Sequence, residues 1–179
     1  MEREFPDQRL YAVLSKNDKD ILSEIFSILS DRVKANPYGD DNAYASAISQ
    51  LPIGLRAMAA THHLDVSLTL DDIGWHFLNF GEPNLVKETE SGLRELGLSD
   101  LADWFVEAFD IVSPLRSEIA AGGDYYECLR SHGRADRIDE LTKKAREKEA
   151  GCAPDVSGSP IYDSWVRYAR KHPENVFGG

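Results

Sequence analysis

The sequence predicts a single all-α domain of about seven or eight helices. Three observations carry that reading. Apolar residues recur at three- and four-residue steps along most of the chain. Helix-starting Asn, Asp, Ser and Pro stand before these stretches, with Gly or Pro after them. The 179 residues are 42% apolar and 28% charged, enough to bury one ordinary core.

In chain order, Asn17 or Asp18 caps a helix running to about Ala35, with Ile21, Leu22, Ile25, Phe26, Ile28, Leu29 and Val33 on its apolar side. The turn-forming run Asn36-Pro37-Tyr38-Gly39-Asp40 ends it. A small-residue helix follows from Asn42 to Gln50, and Pro52 opens another over Ile53 to Leu64. Val66, Leu68 and Leu70 alternate with Ser67 and Thr69, which reads as a short extended connector. Asp71 or Asp72 caps a short aromatic helix that Gly81 stops, with Trp75, Leu78 and Phe77 as its core residues.

Pro83 suits the first position of a helix to Leu96, stopped by Gly97. Ser99 caps the next, with the stripe Leu101, Trp104, Phe105, Ala108, Phe109 and Val112, and Pro114 closes it. Gly122-Gly123 is a loop, and Tyr125 to Arg130 forms a helical turn. Ala135 to Ala150 reads as a charged surface helix held by Ile138, Leu141 and Ala145. Gly151 to Pro160 is a loop, and Ile161 to His172 a last helix whose Tyr162 and Trp165 dock on this chain or across a dimer.

Charge narrows the function. Twenty Lys and Arg stand against 31 Asp and Glu, a net charge of −11. Such a chain repels nucleic acid and anionic membranes. Residues 65–118 alone hold 12 acids and 3 bases, while residues 130–171 are mildly basic. No apolar run is long enough to span a membrane. Met1 to Leu10 carries no secretory pattern, and Cys128 and Cys152 lack metal-type spacing, so the expected location is cytoplasmic.

Asp100, Asp103, Glu107 and Asp110 fall at steps of three, four and three, along one stripe of a helix. Glu88, Glu90 and Glu95 lie on the helix before it. Two antiparallel helices would then carry two rows of carboxylates, spaced about 5–6 Å along each row. That is near the spacing of phosphates along a DNA strand, and it suits a basic groove. The plainer reading is the charged outer face of any amphipathic helix. No Lys or Arg lies between Glu95 and Arg116, and unmixed like charges on a helix cost stability.

A second cluster is His62, His63, Asp72 and His76, with Asp65 and Asp71 nearby. These are ligand types for a divalent ion and would make a metal-dependent enzyme. Capping aspartates and half-buried histidines account for the same residues. Cys128 with His132 has the spacing of a nucleophile pair on one turn, without a third group to orient it. No phosphate-binding glycine loop or cofactor motif is present.

The stretches Phe77-Leu78-Asn79-Phe80-Gly81, Leu93-Arg94-Glu95-Leu96-Gly97 and Leu101 to Phe109 carry a resemblance, together with Tyr168 to Phe177. They resemble the small acidic bacterial helical proteins typified by DNA mimic protein nineteen. In those proteins a short aromatic helix ending in Phe-x-Asn precedes a helix with a Leu-Gly stop. Leu70-Asp71-Asp72-Ile73-Gly74 stands where that family has Asn-Gly-Gly. The resemblance implies a helical domain over residues 66–179. Residues 1–65 are left as N-terminal helices that share its core or stand apart. It implies a DNA mimic, often dimeric, that sequesters a DNA-binding protein. The chain is also similar to small acidic immunity proteins that neutralise toxin enzymes.

The expectation is therefore a non-enzymatic protein without cofactor that offers carboxylates to a basic protein partner, with immunity and metal-dependent catalysis as alternatives.

Overall fold

A computed structural model describes residues 12–13, 15–38, 41–151 and 158–178. All regular structure among them is helical, and one hydrophobic core runs from Val13 to Val176. The expectations for Met1 to Leu10, Gly39-Asp40 and Cys152 lie outside the described residues, as does most of the loop expected over Gly151 to Pro160.

α1 (Asp18–Arg32) is capped by Asn17, whose side chain accepts from the Asp20 amide at 3.0 Å. After α2 (Ala43–Ile48) comes α3 (Ile53–Leu70), 18 residues long. The extended connector expected at Val66 to Leu70 is corrected here: those residues are the last turns of α3. The alternation misleads because Val66 and Leu70 are exposed, 40% and 71%, while Ser67 and Leu68 are buried. Ser67 and Thr69 fit a helix because their hydroxyls donate back to the carbonyls of His63 and Asp65. The helix also runs through the division expected between residues 65 and 66.

α3 is the axis of the molecule. It buries Leu55, Met58, Ala59, Thr61, Leu64 and Leu68, so its burial surrounds it rather than forming a stripe. Small residues let neighbours approach closely. Against it packs α5 (Pro83–Glu95), where a methyl on Gly92 would lie 2.9 Å from the Ala57 carbonyl oxygen. Beside that contact the Thr89 hydroxyl donates to the Ala60 carbonyl at 3.0 Å. On another side lies α10 (Pro160–Lys171), whose Trp165 is fully buried and donates its indole N–H to Thr61 Oγ1 at 3.0 Å. Trp165 thus docks within its own chain.

Between α3 and α5 sits α4 (His76–Phe80). Its buried side chains are His76, Phe77 and Phe80, whereas Trp75 and Leu78 are half-buried, a shift from the expected Trp75, Leu78 and Phe77. Phe77 meets Phe105 and Phe109 of α6 (Ser99–Val112) with ring centres 4.9 and 5.3 Å apart. Glu82 caps α5 through the amides of Asn84 and Leu85. Gly97, at φ +78°, makes the turn into α6, where Leu98 rather than Ser99 is the cap residue.

Pro114 sits in a 3-10 turn (Ser113–Leu115) leading to the short helix α7 (Arg116–Ala120). Next come α8 (Tyr125–Ser131) and α9 (Ala135–Gly151), whose Ile138, Leu141 and Ala145 are buried as expected. Arg146 of α9 donates to the Asp71 carbonyl at 2.9 Å and reaches the Leu68 carbonyl, supplying donors where α3 ends. The chain closes with α11 (Glu174–Phe177).

Two outcomes follow from α3. A fragment starting at Ser67 cuts the axis and should give no cooperative urea transition, where the full chain gives one. Gly92→Val places side-chain atoms against the α3 backbone and should cost about 1–3 kcal/mol, read as a lower denaturation midpoint.

Candidate functional site

The turn at Gly97 sets α5 and α6 beside each other, and one carboxylate of each, Glu90 and Asp103, meet across them at Arg94. Glu88 and Glu95 instead line a groove with Ile53 and Arg56 of α3. Glu88, Glu90 and Glu95 stand on α5, and Asp100, Asp103, Glu107 and Asp110 on α6. The expected unmixed rows are altered by bases from distant segments. Arg56 of α3 grips Glu88 with two hydrogen bonds of 2.5 and 2.6 Å. Arg137 of α9 grips Glu107 at 2.6 and 2.7 Å, holding that carboxyl below its usual range. Lys148 pairs with Asp100 and stands 5.8 Å over the Trp104 ring.

Arg94 spans the two helices, at 3.0 Å from Glu90 and 2.8 Å from Asp103. Glu95 accepts from the Tyr168 hydroxyl at 2.5 Å, and Asp110 is exposed. Five of the seven carboxylates are therefore ion-paired within the chain. Against the seven stand Arg56, Arg94, Arg137 and Lys148, which leaves the face three charges negative. The missing signal was long-range. The mildly basic late segment supplies Arg137 and Lys148, and their partners are invisible until the chain folds.

The histidines gather differently from the expected metal cluster. His62 Nδ1 lies 2.9 Å from the Tyr162 hydroxyl of α10. Ser159 donates its hydroxyl proton to Asp65 Oδ1. The His63 ring centre lies 4.9 Å from that of His62, and the ring stacks flat on Phe80 with centres 4.6 Å apart. His76 is fully buried, its Nδ1 2.9 Å from Ser67 Oγ. The Ser67 proton goes to the His63 carbonyl, so His76 Nδ1 is the donor and its Nε2 is left without a partner.

Asp72 belongs elsewhere. Its Oδ1 accepts from the Tyr125 hydroxyl and the Trp75 amide, each at 2.7 Å, while Asp71 accepts from Tyr126. The quartet His62, His63, Asp72 and His76 is thus not brought to one point. Among the described residues, no three His, Cys, Asp or Glu converge with metal-binding geometry. Cys128 and His132 are not hydrogen-bonded to each other; both side chains meet Glu118 instead, at 3.5 and 3.0 Å. Burial and that carboxylate push the thiol pKa up, the opposite of what a nucleophile needs.

Comparison with family models, curated proteins and solved structures finds no match to this chain. The resemblance described from the sequence rests on its motifs alone.

Burial makes the histidines stability-linked. It lowers the His62 pKa. Aided by the neighbouring imidazole, it lowers His63 to about 4 and His76 to about 3. Their unfolded value is near 6.5, so the unfolded chain takes up protons first as pH falls. Stability should be full above pH 6.5 and decline below it, by up to about 1.4 kcal/mol per pH unit for each histidine. Asp65 and Asp72 are raised by burial and act in the opposite sense nearer their own range. Urea titrations between pH 7 and 5 isolate the histidine effect, and His76→Phe should flatten the slope.

Proposed function

We propose that this protein is a non-enzymatic binding protein that offers the carboxylates of α5 and α6 to a basic protein partner, as a DNA mimic does. The observation behind this reading is the bridge made by Arg94. One guanidinium meets Glu90 of α5 and Asp103 of α6 together, so one carboxylate of each helix lies within reach of a single arginine. A partner's arginine fits the same pair.

The ion pairs already on the face do not bar this. Exposed pairs contribute about 0–1 kcal/mol each, so exchanging an internal base for a partner's costs little. Recognition then works by substitution at sites such as Arg94–Asp103 and Arg137–Glu107, with Asp110 and the remaining negative charge guiding approach. Because the contact is dominated by charge, it weakens steeply with salt.

The test is capture from a native lysate at low salt followed by a salt step, run alongside two variants. Glu90→Lys with Asp103→Lys should abolish capture of the salt-released protein. Arg94→Ala, which frees both carboxylates, should strengthen it several-fold. A partner that binds DNA fits mimicry, and a nuclease domain fits immunity. Capture that ignores both salt and these variants would overturn the acidic-face reading.

A further inference from the structure

A groove of about 250 Å³ lies between the start of α3 and the end of α5. Its lining passes from buried Ala57 and Gly92 to Ile53, which is 52% exposed. The close approach of the two helices at Gly92 demands small residues there, so the same contact that packs α5 on α3 leaves the hollow beside it. On α5, Glu88, Gly92 and Glu95 follow the side toward α3, at steps of four and three. Glu90 and Arg94 belong to the other flank, where Arg94 reaches Asp103 of α6.

Three charged side chains line the groove, Arg56, Glu88 and Glu95. The first two cancel, because Arg56 holds Glu88 by two hydrogen bonds of 2.5 and 2.6 Å. Glu95 is different. Among the described residues its carboxylate has no base, and what it accepts is the phenol proton of Tyr168, on Oε1 at 2.5 Å. The groove is therefore one charge negative, in a chain of net charge −11.

These features restrict the occupant. An anion meets Glu95 and finds Arg56 already engaged. A neutral apolar group covers Ile53 but leaves the charge unanswered. A monocation on an apolar stem satisfies both, and a lysine side chain has that form, with methylenes that lie along apolar surface and a charged head at its edge. Arginine suits the groove less well. Its fork works best on two free carboxylate oxygens, and one oxygen of Glu95 already carries the Tyr168 proton, whereas a compact ammonium needs only one. An apolar cavity of about 150 Å³ holds benzene, so this groove has room for one long side chain.

We propose that the groove between α3 and α5 receives one lysine side chain of a basic protein partner, its methylenes against Ile53 and Ala57 and its ammonium at Glu95. The proposal rests on the reading of this chain as a binder of basic proteins and adds the α3 flank of α5 as the seat of an anchoring residue.

The experiment titrates the full chain with n-butylammonium, which is the lysine side chain alone, and follows the backbone amide signals of Ile53, Ser91 and Gly92 by NMR. They should shift and saturate in about the millimolar range. Ethylammonium, two methylenes shorter, should bind about fivefold more weakly or worse, and 1-butanol, which lacks the charge, about tenfold more weakly. Glu95→Gln keeps an oxygen for Tyr168 and removes only the charge, so it should weaken butylammonium about tenfold. Ile53→Ser should weaken it severalfold, and Glu90→Gln, on the other flank, should leave it unchanged. Amide signals that stay still would overturn the proposal. So would native-like binding by Glu95→Gln, or equal losses in Glu90→Gln and Glu95→Gln, which would mark a diffuse attraction to an acidic chain. The probe needs no partner, so its failure leaves capture through Glu90 and Asp103 standing, and failed capture leaves a positive titration standing. With a captured partner in hand, Glu95→Gln should lower its affinity about tenfold, and an unchanged affinity would also overturn the lysine seat.

Discussion

Ala57 and Gly92 meet so closely that no side chain fits between the backbones of α3 and α5, and the other packing decisions descend from that contact. It brings Thr89 within reach of the Ala60 carbonyl, so the two helices are joined by a buried hydrogen bond as well as by van der Waals contact. It fixes where α5 begins, and so where Glu82 caps it and where α4 must fit. With one side of α3 occupied in this way, its other sides are left to α1, α2 and α10. A hollow of about 220 Å³ lies on that side, among Phe26, Leu29, Tyr44, Ala59, His62 and His63.

The elements that could be read in the sequence are those whose signals are local. α5 announces itself with Pro83 and its Gly97 stop, and α9 with three apolar residues on a charged surface. The helix expected at Ile53 to Leu64 is present, and α3 runs on from it to Leu70. Its last turns show apolar residues at 66 and 70 that face solvent, and hydroxyls at 67 and 69 that satisfy themselves on the preceding turn. α7 and α11, at five and four residues, are too short to show a period.

The candidate sites divide along the same line. The helical positions of the seven carboxylates follow from spacing, but their pairing does not. Glu88 finds its base 32 residues earlier in the chain, and Asp100 finds its own 48 residues later. Sign purity within a segment describes the chain, whereas the field at a surface depends on what folds against it. The histidines make the same point. His62 finds its hydrogen-bond partner in a tyrosine 100 positions away, while His63 stacks on Phe80. Proximity in sequence suggested a shared metal, and the fold gives these rings separate partners.

Thr61 at the middle of α3 is completed by Trp165, and the Asp18 carboxylate at the start of α1 is held by Arg170. The first and last thirds of the chain are thus joined, around the α3–α5 pair that closes between them. On the ribosome, α1 to α3 emerge long before α10 and have only partial cover for their apolar surface. Until α10 has cleared the exit tunnel, the side of α3 that it covers stays bare, and that interval is when its apolar surface is open to wrong partners.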